Sequence, residues 1–551
     1  MTGIAMSQHP VSENPVSDVV VLGSGAAGLT AALAAAVAGA KVTVLERAEL
    51  VGGTTTLSAG VLWIPNNQLA RLAGIEDSRE QALEYLNSLS NDLIIPDLAE
   101  ALVDGGVELV DFLHEHSGMR FQLVDGYPDY HPEKPGGMPR GGRSIEPALV
   151  SFRGLEDWVD RVAGEPRRLL CAEMPMGGGT GFLTPAEEQH RAQDLLEGLG
   201  RGLVGGLLRA CLGKGVEILV GARGIELCSD GERISGVSVQ VDSGTREVAA
   251  SAVILATGGF DNDPVLVRDF LRGPMTHAVG VPTLTGDGLR MAMRVGAQLG
   301  NMSEAWWCPV VKGQGTRRDG GQVTYLSVRD RAVPGSIVVN RDGRRFVNEA
   351  ASYNAQGAAF HELDAATMEY PNIPAYMVFD QAVVDRIGML GLPPGSEMPG
   401  WVSRGDSLAE LAGSVGVDAQ GLTDTVERFN RYAREGDDPD FARGESAYDR
   451  WPGDQSAGDS PLSTLGPLEG SPFYAVEVDI SALGTKGGPR TDRDGRVLDL
   501  DGRVIPGLYA AGNVMANPTG MIYGGAGATL AVAMVWGMFT GAAAVGDSGA
   551  S

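Results

Sequence analysis

Residues 18–46, DVVVLGSGAAGLTAALAAAVAGAKVTVLE, constrain this chain more than any other stretch. Asp18 leads into an apolar run, 19–22, of the kind that forms a strand buried on both faces. Gly23, Gly25 and Gly28 then set G-x-G-x-x-G at the turn into an alanine-rich helix. The first glycine permits a tight turn, the second lets backbone approach a pyrophosphate, and the third brings helix and strand close together. Free N–H groups at the helix start, at Ala26 and Ala27, face the phosphates' negative charge. A second apolar strand, 42–45, ends at Glu46, about 20 residues on, where an acid accepts hydrogen bonds from ribose hydroxyls. Glycines alone would be weak evidence, since they also pack helices on sheets. Strand, glycines, helix, strand and acid in register predict a bound dinucleotide on a Rossmann-like α/β sheet.

Other segments converge on the same ligand. The loop after Glu46, VGGTTTLSAG, offers Gly53, Thr54, Thr55, Ser58 and Gly60: backbone N–H groups and small hydroxyls suited to wrapping a phosphate or a flat ring. Residues 252–259, AVILATGG, read as another buried strand whose end brings Ala256, Thr257 and Gly258 to the ligand. A last strand, 508–511, leads into Gly512 and Asn513, and the chain then runs through Ala528. From 504 to 546 there is no charged residue, long enough for a membrane span, but the glycine, proline and asparagine content favours a helix buried beside a cofactor.

Between these pieces, 67–118 and 203–212 read as helical, 216–220 and 234–241 as strands, and 126–147 as a long proline- and glycine-rich loop, either functional or disordered. Composition changes from about 285 to 483. There Trp306 and Trp307 read as core, 336–346 as hairpin-like, 407–432 as helical, and 436–470 as a polar surface winding. The resulting division is a disordered lead at 1–17, a first part at 18–285, an inserted domain at 286–483, and a return at 484–551.

A net charge of −27 excludes a nucleic-acid partner and docking on anionic lipid through a basic patch, leaving only a weak peripheral contact through an apolar loop. Cys171, Cys211, Cys228 and Cys308 lack disulfide or metal-ligand spacing and read as reduced thiols of a cytoplasmic protein, with no metal site. The N-terminal residues lack the basic and apolar regions of a secretory signal.

Together, VLGSGAAG at 21–28, VGGTT at 51–55, ILATGGF at 254–260 and PGLYAAGN at 506–513 resemble the flavoprotein superfamily of the fumarate reductases and 3-ketosteroid dehydrogenases. That resemblance implies a discontinuous FAD-binding domain with an inserted α+β catalytic domain. PDYHPE at 128–133, RRFVNEAASY at 344–353, ALGTKGG at 482–488 and YGGAG at 523–527 sharpen it to the 3-ketosteroid Δ1-dehydrogenases. The resemblance implies desaturation next to a ring ketone, with FAD taking the hydride. No histidine lies between Glu46 and Leu113, so FAD is expected to be bound non-covalently, and a quinone or another flavoprotein is expected to reoxidise it. The resemblance also assigns roles: Tyr523 hydrogen-bonds the substrate carbonyl, the backbone N–H of Gly527 is the second donor, Tyr353 removes the α-proton, and Tyr130 assists it. Where the family often has Tyr-Pro-Gly-Pro-Gly, this chain has Tyr523-Gly524-Gly525-Ala526-Gly527, and losing the prolines predicts a less pre-organised loop.

The chemistry needs such residues. An α-proton becomes acidic only if the carbonyl oxygen can carry developing charge, which two aimed donors provide. A phenol suits an apolar pocket better than a buried carboxylate, and a second tyrosine donating to it would stabilise its phenolate. Tyr127, three residues from Tyr130, is the alternative for that partner. Rival readings are a related desaturase for another steroid ring position or a smaller cyclic ketone, a fumarate reductase, a nicotinamide enzyme, and a flavin-binding protein without turnover. Dicarboxylate binding needs Arg with His. The inserted domain holds His361 alone, and the arginines of RDGRR at 341–345 read as solvent-facing.

Overall fold

A computed structural model describes residues 17–548. Of the expected lead at 1–17, residues 1–16 lie outside them, and Ser17 corrects the boundary, being buried and opening the first strand. Strand Ser17–Leu22 lies between Val42–Leu45 and Gly244–Leu255, parallel to both. Glu217–Leu219 extends one side of this sheet and Val504–Ala510 the other, again in parallel, so the chain's end completes a sheet begun at its start. Every residue from Val19 to Leu22 is buried, as a strand covered on both faces requires. The fingerprint helix Ala26–Val37 covers one face. It packs on the C-terminal helix Ala528–Ser548, where a Cβ at Gly537 would come 2.6 Å from the Ala27 carbonyl oxygen. Glycine there lets the two backbones approach closely. The span Ala528–Gly546 is long and apolar enough to cross a membrane, yet 72% of its most apolar window is buried in the fold.

Strands between 305 and 485 build a second, antiparallel sheet. Its order is Gln322–Leu326, Ala305–Thr316, Phe473–Thr485, Ala375–Asp380 and Ser336–Asn340. Helices Leu408–Val415 and Ala419–Glu435 lie against it. The strand Phe473–Thr485 then carries the chain back toward the first sheet.

Three expectations need correction. The loop at 126–147 ends in a buried strand, Ser144–Pro147, which pairs with Leu62–Trp63 and Phe121–Leu123. Within 436–470, Asp438, Arg443, Tyr448 and Asp449 are buried rather than on the surface. In RDGRR, Arg341 and Arg344 face solvent but Arg345 does not: its guanidinium pairs with Glu349 at 2.7 Å and Asp438 at 2.8 Å. Arg443 reaches Glu349 from the other side at 3.1 Å. Two buried arginines facing two buried carboxylates satisfy one another, which composition could not reveal because the partners lie far apart in sequence. This cluster anchors the segment that leads into Tyr353.

Candidate active site

A single cavity runs from the glycine fingerprint to a group of tyrosines. At one end it is lined by Gly23, Gly25, Ala26, Ala27 and Glu46, then by Gly53, Thr54, Thr55, Ser58 and Gly60. Ala256, Thr257, Gly258, Gly512 and Asn513 close it from the other strands. Tyr130, Tyr353, Tyr523 and Gly527 line the far end. Gly28 and Ala528 do not line it. Gly28 sits behind, where a Cβ would lie 2.0 Å from the Gly23 carbonyl oxygen, so its role is helix–strand contact. Ala528 opens the C-terminal helix, and its neighbour Thr529 faces the cavity instead.

These residues fit FAD. Gly23 has φ +104° and a Cβ there would come 2.4 Å from the Ala256 carbonyl oxygen, whereas a Cβ on Gly25 would meet nothing nearer than 3.6 Å. The turn is therefore tight behind and open in front, as close approach of a pyrophosphate demands. Ala26 departs from the expectation, since its N–H donates to Thr55 Oγ1 at 3.0 Å. That bond brings the threonine loop against the helix start. Glu46 Oε2 accepts from Ser24 N at 3.0 Å and Ser24 Oγ at 2.6 Å, and Oε1 accepts from Ala48 N at 2.8 Å. Oε1 keeps acceptor capacity toward the cavity for a ribose hydroxyl. Glu46→Gln is expected to weaken FAD binding about ten- to a hundredfold, because one carboxylate oxygen becomes a donor among donors. Fluorescence titration of the apoprotein with FAD measures it.

At the far end the hydroxyls of Tyr130 and Tyr353 are 2.6 Å apart. Tyr523 lies beside them, its ring 5.0 Å from that of Tyr130 and 5.5 Å from that of Tyr353. Tyr127 lines the cavity but packs its ring on Trp451, so the hydroxyl bonded to Tyr353 is that of Tyr130. The Tyr523 oxygen accepts from Thr529 Oγ1 at 3.0 Å, which leaves its own hydrogen to be donated elsewhere. Gly527 has φ +97°, and its N–H, ahead of the first turn of the C-terminal helix, meets no acceptor among the described residues. A Cβ there would come 2.4 Å from the Val61 carbonyl oxygen. Burial pushes Tyr353 and Tyr130 well above the usual tyrosine pKa; the hydrogen bond to Tyr130 works against this at Tyr353 without overcoming it. Tyr523 is also raised by burial, partly offset by its hydrogen bond with Thr529, and so stays a protonated donor at neutral pH.

The loop without prolines is not loose. Gly524 O accepts from Tyr85 Oη at 2.7 Å and from Tyr130 N at 3.0 Å, and Ala526 O accepts from Ser144 Oγ at 3.0 Å. A Cβ on Gly525 would lie 2.3 Å from the Trp63 ring, so the glycine admits that ring. Trp63 Nε1 donates to Asp129 at 2.7 Å, and Asp129 pairs with Arg143 at 2.8 Å, all buried. Burial raises the Asp129 carboxyl to about 6. Sequence reasoning missed this support, along with Thr529, because none of it lies in the motif it stabilises.

The lining also includes the apolar Leu57, Val61, Met174, Met176, Val279 and Leu326, then Arg167, and Arg47 and Asp287, which pair with each other at 3.0 Å. Among the described residues no hydrogen bond or ion pair engages the Arg167 guanidinium. His361 is not part of the lining; its Nε2 lies 2.8 Å from the Pro274 carbonyl oxygen. With Arg345 locked in its ion pairs, the Arg–His arrangement of a dicarboxylate site is not assembled here.

Residues 18–530 match the FAD binding domain family. The chain is 42% identical to a 4-oxocyclohexanecarboxylate 2-dehydrogenase of Sinomonas cyclohexanicum, over 96% of this chain and 93% of that protein. It is 39% identical to a 3-oxosteroid 1-dehydrogenase of Mycobacterium tuberculosis, over 94% of this chain and 96% of that protein. The crystal structure of 3-ketosteroid Δ1-dehydrogenase from Sterolibacterium denitrificans, in complex with 1,4-androstadiene-3,17-dione, superposes with a TM-score of 0.87 at 32% identity. That match covers 96% of this chain and 99% of the other.

Proposed function

We propose a reaction for this chain from one premise: it belongs to the FAD-binding flavoprotein family that includes the 3-oxosteroid 1-dehydrogenases and related cyclic-ketone dehydrogenases, and it is an FAD-dependent dehydrogenase. The reaction is removal of two hydrogens across the C–C bond next to a ring ketone. The observation that carries this reading is the junction, in one cavity, of the dinucleotide fingerprint with a hydroxyl pair and a free hydroxyl donor.

Tyr523 Oη donates to the substrate carbonyl, with Thr529 holding the phenol in that orientation. The N–H of Gly527, at the positive end of the C-terminal helix, donates to the same oxygen, so charge developing there is met from two sides. The α-carbon then gives up its proton to the Tyr353 oxygen, and the hydroxyl of Tyr130 stabilises the phenolate form of that base. As the C–H bond at the β-carbon breaks, the C=C bond forms and the carbonyl is restored. When bound, FAD supplies the acceptor for the hydrogen and electron pair that leave the β-carbon. The apolar wall excludes water from the developing enolate. An external acceptor, such as a quinone, then reoxidises the enzyme. We read the protein as cytoplasmic, which its four free cysteines support.

The substrate class proposed first is a 3-ketosteroid, oxidised at the 1,2-bond, which the steroid-dehydrogenase relatives support. A second reading, a smaller cyclic ketone bearing a carboxylate, is favoured by the unengaged Arg167 in the cavity lining and by the Sinomonas relative. Dye-linked turnover of androst-4-ene-3,17-dione against 4-oxocyclohexanecarboxylate, with products analysed for position of the new double bond, decides between them. On the first reading the steroid is turned over faster and Arg167→Met leaves its KM unchanged. On the second, the carboxylate is faster and Arg167→Met raises its KM about tenfold or more. Turnover of neither ketone by the FAD-loaded enzyme rejects both.

A further inference from the structure

Lys486 has no solvent exposure, and no step above uses it. Its Nζ donates to the carbonyl oxygen of Gly520 at 3.0 Å and to that of Ile522. It also stands 3.8 Å from the centroid of the Trp306 ring. Trp306 in turn sets its ring edge-on to Tyr523, with centroids 4.6 Å apart, and donates Nε1–H to Asn513 Oδ1 at 3.2 Å. The backbone at Lys486 is fixed at both ends, since its N–H donates to Glu304 O and its carbonyl accepts from Asn517 N, each at 2.9 Å. A second donor, Asn301 Nδ2, meets the same Gly520 carbonyl at 3.0 Å.

Burial pulls the Lys486 amine well below the usual lysine range, and an apolar chain of the same length would fill the volume without that cost. What its N–H donors provide is direction. Ile522 O belongs to the peptide unit whose nitrogen is that of Tyr523, so a donor fixed on it fixes the Cα of the tyrosine. The Trp306 ring, held between Nζ and the phenol, sets the other side. The glycine-rich segment after Tyr523 is pinned by Tyr85, Tyr130 and Ser144. The segment before it is held by this cluster, together with Thr519 Oγ1 on the Ile522 carbonyl at 3.1 Å and Asn354 Nδ2 on the Met521 carbonyl at 3.3 Å. A displacement of about 1 Å at a catalytic group can cost on the order of a hundredfold in rate.

We propose that Lys486 is a positioning residue for the carbonyl-binding hydroxyl of Tyr523, acting through the Gly520 and Ile522 carbonyls and the Trp306 ring. The proposal rests on the role given to Tyr523 above. Its test is a double-mutant cycle on the FAD-loaded full chain, read as the limiting rate of anaerobic flavin bleaching. The probe is whichever of androst-4-ene-3,17-dione and 4-oxocyclohexanecarboxylate turns over faster. Lys486→Met is expected to lower that rate about tenfold or more while the dissociation constant for the ketone changes less than about threefold. In the Tyr523→Phe background the same substitution is expected to add less than about threefold, because the group it positions is gone. An unchanged rate in the single variant, or an equal loss in both backgrounds, overturns the proposal. Should Lys486→Met not retain FAD, Asn301→Ala removes one donor from the Gly520 carbonyl. A loss of about threefold or more confined to the Tyr523 background then supports the proposal, and no loss or equal losses overturn it. A Tyr523→Phe enzyme that bleaches at the wild-type rate would instead refute the role of Tyr523 itself.

Discussion

Tyr523→Phe slows bleaching of the flavin by a cyclic ketone by about two orders of magnitude or more, with FAD still bound. Losing one donor to a developing oxyanion costs on the order of 2.7–4 kcal/mol, which is about a hundred- to a thousandfold in rate. The cost falls on the chemical step because the hydrogen bond strengthens as charge moves onto the carbonyl oxygen. FAD binding survives, since Tyr523 lies at the end of the cavity opposite the fingerprint and phenylalanine keeps the ring that packs on Trp306 and Tyr130. Absorbance at the flavin maximum after purification, followed by stopped-flow mixing under anaerobic conditions, separates the two readouts. Bleaching at an unchanged rate would remove Tyr523 from the mechanism.

Tyr353→Phe is expected to cost more, about a hundred- to ten-thousandfold, because it removes the proposed base, whose hydroxyl lies 2.6 Å from that of Tyr130. The pH dependence carries the same information with a definite sign. Burial holds the Tyr353 phenol above its ordinary pKa, so the fraction present as phenolate is small at neutral pH and grows as pH rises. In the wild type, kcat/KM for the ketone therefore climbs from neutral into the alkaline range. In Tyr353→Phe that climb disappears. Tyr130→Phe retains the base without its partner, and its profile shifts toward still higher pH. A flat profile in the wild type would contradict a tyrosine base.

Most of the residues that line the cavity from the fingerprint to the tyrosines were legible in the chain because they sit in short contiguous motifs. The fingerprint turn, the acid at the end of Val42–Leu45 and the glycines after Gly244–Leu255 each follow a strand, and strand ends meet where parallel strands are neighbours. Tyr130, Tyr353 and Tyr523 were readable only through the motifs around them; nothing in their spacing brings three distant phenols to one point. The groups that hold them there left no local signal. Arg345 looked like a surface residue because its turn is polar, yet Glu349 and Asp438 draw it inside. The glycines at 524 and 525 looked like lost rigidity, but their missing side chains admit Trp63 and leave the Gly524 carbonyl open to two donors. Long-range pairing of this kind depends on the assembled fold, so a reading along the chain could only miss it.

The central claim is that one cavity presents a ring ketone both to paired tyrosines and to the flavin. It is tested most directly by mixing the oxidised, FAD-loaded enzyme anaerobically with androst-4-ene-3,17-dione, and separately with 4-oxocyclohexanecarboxylate, in the absence of any added acceptor. The account predicts that one of these bleaches the flavin and yields one equivalent of the α,β-unsaturated ketone per flavin, lighter by two hydrogens. A flavin that stays oxidised while both ketones bind would contradict it.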